Sequence, residues 1–84
     1  MFVYILRSQK DNSFYTGTTR NVAERLSQHN KGFNKSTKSR IPWSLVRVEE
    51  YGNSGLALKR ERFLKSGIGR EVIKNLCSFD RKSI

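Results

Sequence analysis

Five side chains able to move protons or bind charged groups are spaced so that a small fold can gather them: Tyr4, Tyr15, Arg25, His29 and Glu61. Arg25 and His29 lie one helical turn apart in NVAERLSQHN. At about 100° per residue, Val22 and Leu26 form the apolar stripe of that helix. His29 sits beside Val22 and Arg25 lies just beyond it, so both line an edge where a side chain can be half buried and aimed at a cleft. Such a pair suits proton transfer beside a bound anion. The residues alone also allow a half-buried imidazole satisfied by a backbone carbonyl.

Tyr4 and Tyr15 fall on neighbouring strand-like segments, and Gly17 leaves space on the same strand face as Tyr15. Tyrosine is also simply a favoured strand residue. Glu61 is the only acid in LKRERFLK and borders a stripe of Leu56, Ala57, Phe63 and Leu64. Flanked by Arg60 and Arg62, it belongs either to a site or to a solvated salt bridge. Arg60 falls in mid-stripe, which the sequence does not explain.

The elements that must position these residues read as a β-hairpin, a helix, a strand and two helices. Phe2 to Arg7 is rich in β-formers and apolar on both faces, Lys10-Asp11-Asn12 is turn chemistry, and Ser13 to Thr19 resumes the extended pattern. Asn21 caps a first helix over Val22 to Asn30, stopped by Lys31-Gly32. An exposed polar loop runs from Lys31 to Pro42. Trp43 to Tyr51 is a third strand with Leu45, Val46 and Val48 as its buried centre. Asn53 or Ser54 caps a second helix to about Lys65, Gly67 ends it, and Gly69 to Cys77 forms a third. The order β-β-α-β-α-α predicts a small α+β domain over residues 1–77, with 78–84 a flexible tail.

Composition narrows the partners. At 84 residues there is room for one domain, of a size that buries only roughly 60–65% of the surface its unfolded chain exposes. Seventeen Lys and Arg against seven Asp and Glu give a net charge of +10, which points to nucleic acid. Residues 31 to 48 hold Lys31, Lys35, Lys38, Arg40 and Arg47 with no acid, a basic patch. No apolar run approaches the roughly 18 residues of a spanning helix, so no membrane partner is expected. A single cysteine and no secretory leader at the N-terminus fit a cytoplasmic protein.

Taken together, Val3-Tyr4-Ile5, Tyr15-Thr16-Gly17, Arg25 with His29, and a later Glu61 resemble the GIY-YIG nuclease family over about residues 2 to 76. The likeness is to stand-alone domains similar to the nuclease domain that opens the incision subunit of bacterial nucleotide excision repair. Where the family name has Gly-Ile-Tyr this chain has Phe2-Val3-Tyr4, and Thr16 replaces the second Ile. The tyrosines and Gly17 are retained.

The resemblance implies a three-stranded antiparallel sheet flanked by helices and metal-dependent hydrolysis of DNA, in repair or processing. It implies that Glu61 holds one Mg²⁺ or Mn²⁺ and that Arg25 binds a phosphate oxygen. Tyr4, with or without His29, accepts the proton of the attacking water, and Tyr15 orients water or phosphate. The scarcity of acids favours one metal over two. Lys31, Lys35, Lys38 and Arg40 would grip the DNA backbone with little base readout, or form a solvated loop. A protein partner that supplies targeting is compatible with this, as is a basic nucleic-acid-binding module that does not cut on its own.

Overall fold

The computed structural model describes residues 1–82, with side chains to Leu76. Strands β1 (Phe2–Ser8), β2 (Phe14–Thr19) and β3 (Trp43–Glu50) alternate with helices α1 (Val22–Asn30), α2 (Ser54–Lys65) and α3 (Gly67–Lys82), in the order β-β-α-β-α-α. The sheet is antiparallel with strand order β2-β1-β3. The first strand is therefore the central one.

That position accounts for its composition. Val3 and Ile5 pack with Ala57, Leu64 and Ile73 under α2 and α3, while Tyr4 and Leu6 pack with Trp43 beneath α1. A strand buried on both faces has no place for a polar residue in its centre. Tyr4 faces Gly17 and Leu6 faces Tyr15 across the β1–β2 ladder, which puts both tyrosines on the α1 face.

Local signals set the helix ends. Asn21 accepts the Glu24 N–H at 3.0 Å and Asn53 accepts the Leu56 N–H at 2.9 Å, each satisfying one orphan donor of a first turn. Gly32 leaves α1 at φ +79°, in the left-handed region that glycine enters without strain.

Several expectations about the elements need correction. Leu45 and Val48 are 39% and 41% exposed, Val46 is half buried, and the buried residue of β3 is Trp43. β3 is an edge strand with a register shift opposite Ile5 and Leu6, so its middle runs beyond the cover of α1. Leu56 and Phe63 are exposed, which leaves Ala57 and Leu64 as the buried contacts of α2. Gly67 opens α3 rather than closing α2: Ser66, in extended conformation, makes the break, and its Oγ accepts the Gly69 N–H. Helix α3 starts before Gly69 and continues past Cys77 to Lys82; of the tail, residues 83 and 84 lie outside the described residues.

The loop after α1 is not a free polar segment. Thr37 inside it is fully buried, and Lys38–Arg40 form a 3₁₀ turn. The Trp43 indole N–H donates to the Thr37 carbonyl at 3.0 Å, and Asn30 makes two hydrogen bonds to the Trp43 backbone. Buried polar groups must be paired, and this loop is held by that requirement.

Mid-stripe Arg60 finds its reason across the layers. Its Nε and Nη2 reach the two carboxylate oxygens of Glu49 on β3 at 2.9 and 3.1 Å, a bidentate pair joining α2 to the sheet. Arg47 and Tyr51 bond the same carboxylate. Burial alone would raise the Glu49 carboxyl, but the hydrogen bonds from Arg60, Arg47 and Tyr51 outweigh it and hold it at about 2.

Candidate active site

The centre of the α1 face is a buried chain of hydrogen bonds. The Tyr4 phenol lies 2.9 Å from His29 Nε2, and His29 Nδ1 lies 2.8 Å from the Thr37 hydroxyl. That hydroxyl also lies 3.3 Å from the Asn34 carbonyl, which can only accept. Thr37 therefore donates to Asn34 and accepts from His29 Nδ1–H. This leaves Nε2 bare to accept the Tyr4 O–H.

Each member is held by a different element. Tyr4 belongs to the central strand, His29 to the last turn of α1, and Thr37 to the clamped loop. Gly17 makes room for Tyr4 rather than for Tyr15: a Cβ on Gly17 would fall 2.6 Å from the phenolic oxygen. The Tyr15 ring packs 4.9 Å from the His29 ring and 6.3 Å from the Tyr4 ring, centre to centre. His29 is fully buried rather than half buried, because the loop closes over it.

Burial sets the protonation states. Desolvation, with a contribution from Tyr15, pushes the Tyr4 phenol up to about 12 against the pull of the Arg25 guanidinium. Burial first, and the Arg25 charge second, lower His29 from its ordinary value. The resting pair is a protonated phenol beside a neutral imidazole.

Arg25 is exposed at the rim, 3.3 Å from the Gln28 side-chain oxygen. It borders an open cleft of about 440 Å³ together with Gln28, His29, Phe33, Asn34 and Lys35. Glu61 approaches from α2, its side chain only 17% exposed and paired with Lys65 at 2.7 Å. The Lys65 ammonium lies 5.7 Å from the centre of the Tyr15 ring, and the Glu61 charge adds to the upward push on Tyr4.

Tyr4, Tyr15, Arg25 and His29 thus gather on the α1 face, and Glu61 reaches their neighbourhood from α2, with its charge felt at the Tyr4 phenol. Of the four predicted DNA-binding residues, Lys31, Lys35 and Lys38 are exposed and Lys35 lines the cleft. Arg40 is occupied elsewhere: its guanidinium donates to Ser13 Oγ and the Ser36 carbonyl and stacks over Trp43 at 5.0 Å. Thr37 was not foreseen. A threonine in a basic loop carries no pattern that marks it as the partner of a histidine eight residues earlier.

Comparison with known proteins places the chain in a family. A family model for the GIY-YIG catalytic domain matches residues 1–71. The chain belongs to the GIY-YIG family. Among its relatives is a UPF0213 protein of Staphylococcus haemolyticus, 40% identical over 74 residues, covering 87% of this chain and 89% of the relative. A UPF0213 protein of Natronomonas pharaonis is 39% identical, covering 77% and 76% of the two chains, and one of Clostridium perfringens is 43% identical, covering 76% and 69%. No solved structure gives a significant match. GIY-YIG domains are endonuclease domains, and the two tyrosines on which the sequence resemblance rests are the pair packed around His29.

Among the described residues no three His, Cys, Asp or Glu side chains cluster as a metal cage, and no helix is long and apolar enough to cross a membrane. The Glu61 carboxylate, the predicted metal ligand, is half buried and paired with Lys65. One half-buried carboxylate suits a hard cation that keeps several waters and shares the substrate phosphate.

Proposed function

We propose that this GIY-YIG domain is a DNA endonuclease that hydrolyses phosphodiester bonds with one Mg²⁺ or Mn²⁺ ion, in DNA repair or processing. The observation that carries the reading is the buried Tyr4–His29–Thr37 chain ending beside Arg25. A phosphodiester needs a deprotonated water and positive charge near its oxygens, and this face offers a proton path next to a guanidinium.

Tyr4 takes the proton of the attacking water as its own passes to His29 Nε2. His29 ends as an imidazolium whose Nδ1–H stays on Thr37, and Arg25 binds a phosphoryl oxygen. Tyr15 packs against the imidazole and fixes its plane. Glu61 would hold the cation, which supplies charge neutralisation for the phosphate and the leaving 3′ oxygen, and Lys65 would release Glu61 to do so.

The test is nicking of supercoiled plasmid and branched DNA with Mg²⁺, with Mn²⁺ and with chelator, comparing wild type with Glu61→Ala. Metal-dependent cutting that is lost in the variant while DNA binding survives is the expected result. Absence of cutting on every substrate, or equal cutting by the variant, would leave a basic nucleic-acid-binding module.

A further inference from the structure

A second cleft opens where β2 meets α2 and α3. It holds about 400 Å³ and lies between Phe14, Tyr15 and Thr16 of β2 and Leu64, Lys65, Arg70, Ile73 and Lys74 of α2 and α3. Its floor is apolar and aromatic. Three of its wall residues are cationic and none is acidic.

The cleft is linked to the catalytic face through Tyr15 and Lys65, each of which touches a residue of that face. Tyr15 packs on His29 and lines the cleft, while Lys65 pairs with Glu61 and lies over the Tyr15 ring. Phe14 is steadied by its cross-strand neighbour Arg7, whose guanidinium carbon lies 5.9 Å from the ring centre. A chain occupying both places would pass from a phosphate at Arg25 and Glu61 to a base at Phe14.

We infer that this cleft receives an unpaired nucleotide next to the scissile phosphate, so that the substrate class is single-stranded DNA or a single-stranded flank. The inference rests on the nuclease reading and deepens it. A volume of about 400 Å³ admits a base and its sugar but not a double helix. An aromatic ring framed by Lys and Arg is the combination that single-strand sites use: a base stacks on the ring and cations follow the backbone, without regard to sequence. Duplex DNA would meet only the rims.

Fluorescence anisotropy in the presence of chelator separates binding from cutting. A labelled 12-nucleotide single strand and the same sequence as blunt duplex are titrated with wild type, with Arg70→Ser/Lys74→Ser and with Phe14→Leu. The paired serine changes are at exposed positions and should leave the circular-dichroism spectrum unchanged, and leucine keeps the apolar bulk of Phe14. The single strand is expected to bind at least tenfold more tightly than the duplex in wild type. Each variant is expected to lose about tenfold on the single strand and little on the duplex. A 5-iodouracil strand is expected to crosslink to the peptide holding Phe14 and Tyr15. Equal affinity for the two DNAs, variants that bind as wild type, or a crosslink confined to the α1 cleft would overturn the inference. Failure of the nuclease reading would show instead as absent cutting, whatever the binding preference.

Discussion

At the scale of single residues, the site depends on one hydroxyl that no motif names. Thr37→Val keeps the volume but leaves His29 Nδ1–H without an acceptor in a buried place, which costs about 1–3 kcal/mol of stability. Because that acceptor selects the tautomer, nicking is expected to fall about 10- to 100-fold. Thr37→Ser should restore both, and ¹⁵N chemical shifts of the imidazole should report the tautomer directly. Tyr4→Phe removes only the phenolic oxygen and should reduce nicking by about 10²- to 10⁴-fold with the fold intact. His29 also ties stability to pH. The unfolded chain takes up its proton near 6.5, whereas burial and Arg25 oppose protonation in the folded chain. Below that pH the unfolded state binds more protons, so stability falls as the pH is lowered from about 6.5. Urea midpoints at pH 7.5 and 5.5 should drop more for wild type than for His29→Gln; parallel drops would refute it.

At the scale of elements, close approach and cross-layer pairing do the positioning. Gly17→Ala would push a methyl into the Tyr4 ring, and it should lower both thermal stability and nicking, measured by calorimetry and plasmid assay on the same preparation. Arg60→Met should cost about 1–3 kcal/mol in chemical unfolding, since Glu49 would keep Arg47 and Tyr51 but lose its bidentate partner. The depressed Glu49 carboxyl contributes stability above its ordinary value of 4.5, and this is lost as pH falls toward about 2. That window is separate from the one set by His29. The hairpin, the caps at Asn21 and Asn53 and the common helix face of Arg25 and His29 were legible because they depend on neighbours in sequence. What escaped is long-range: that Gly17 serves Tyr4 on the next strand, that Arg60 reaches β3, and that β3 is an edge whose Leu45 and Val48 stay exposed. The two-faced apolar run of β1 marks a buried strand, but no periodicity within one segment records which residues lie across from it.

At the scale of the whole molecule, charge governs encounter. The exposed loop residues Lys31, Lys35 and Lys38 add to a net charge of +10. Replacing all three by Gln should flatten the dependence of DNA affinity on salt by roughly 2–3 in log–log slope, while Arg40→Gln should disturb the fold around Trp43 more than the slope. The strand order has one more consequence, in the time course of synthesis. β1, the central strand, is the first of the three to leave the ribosome and gains β2 within a few residues, but its other edge waits for Trp43–Glu50. His29 is not enclosed until Thr37 and Trp43 follow, and Glu61 arrives later still. A nascent or prematurely terminated chain therefore carries both tyrosines and the arginine without the enclosed histidine, and the proposed centre is assembled only when the later long-range contacts have formed.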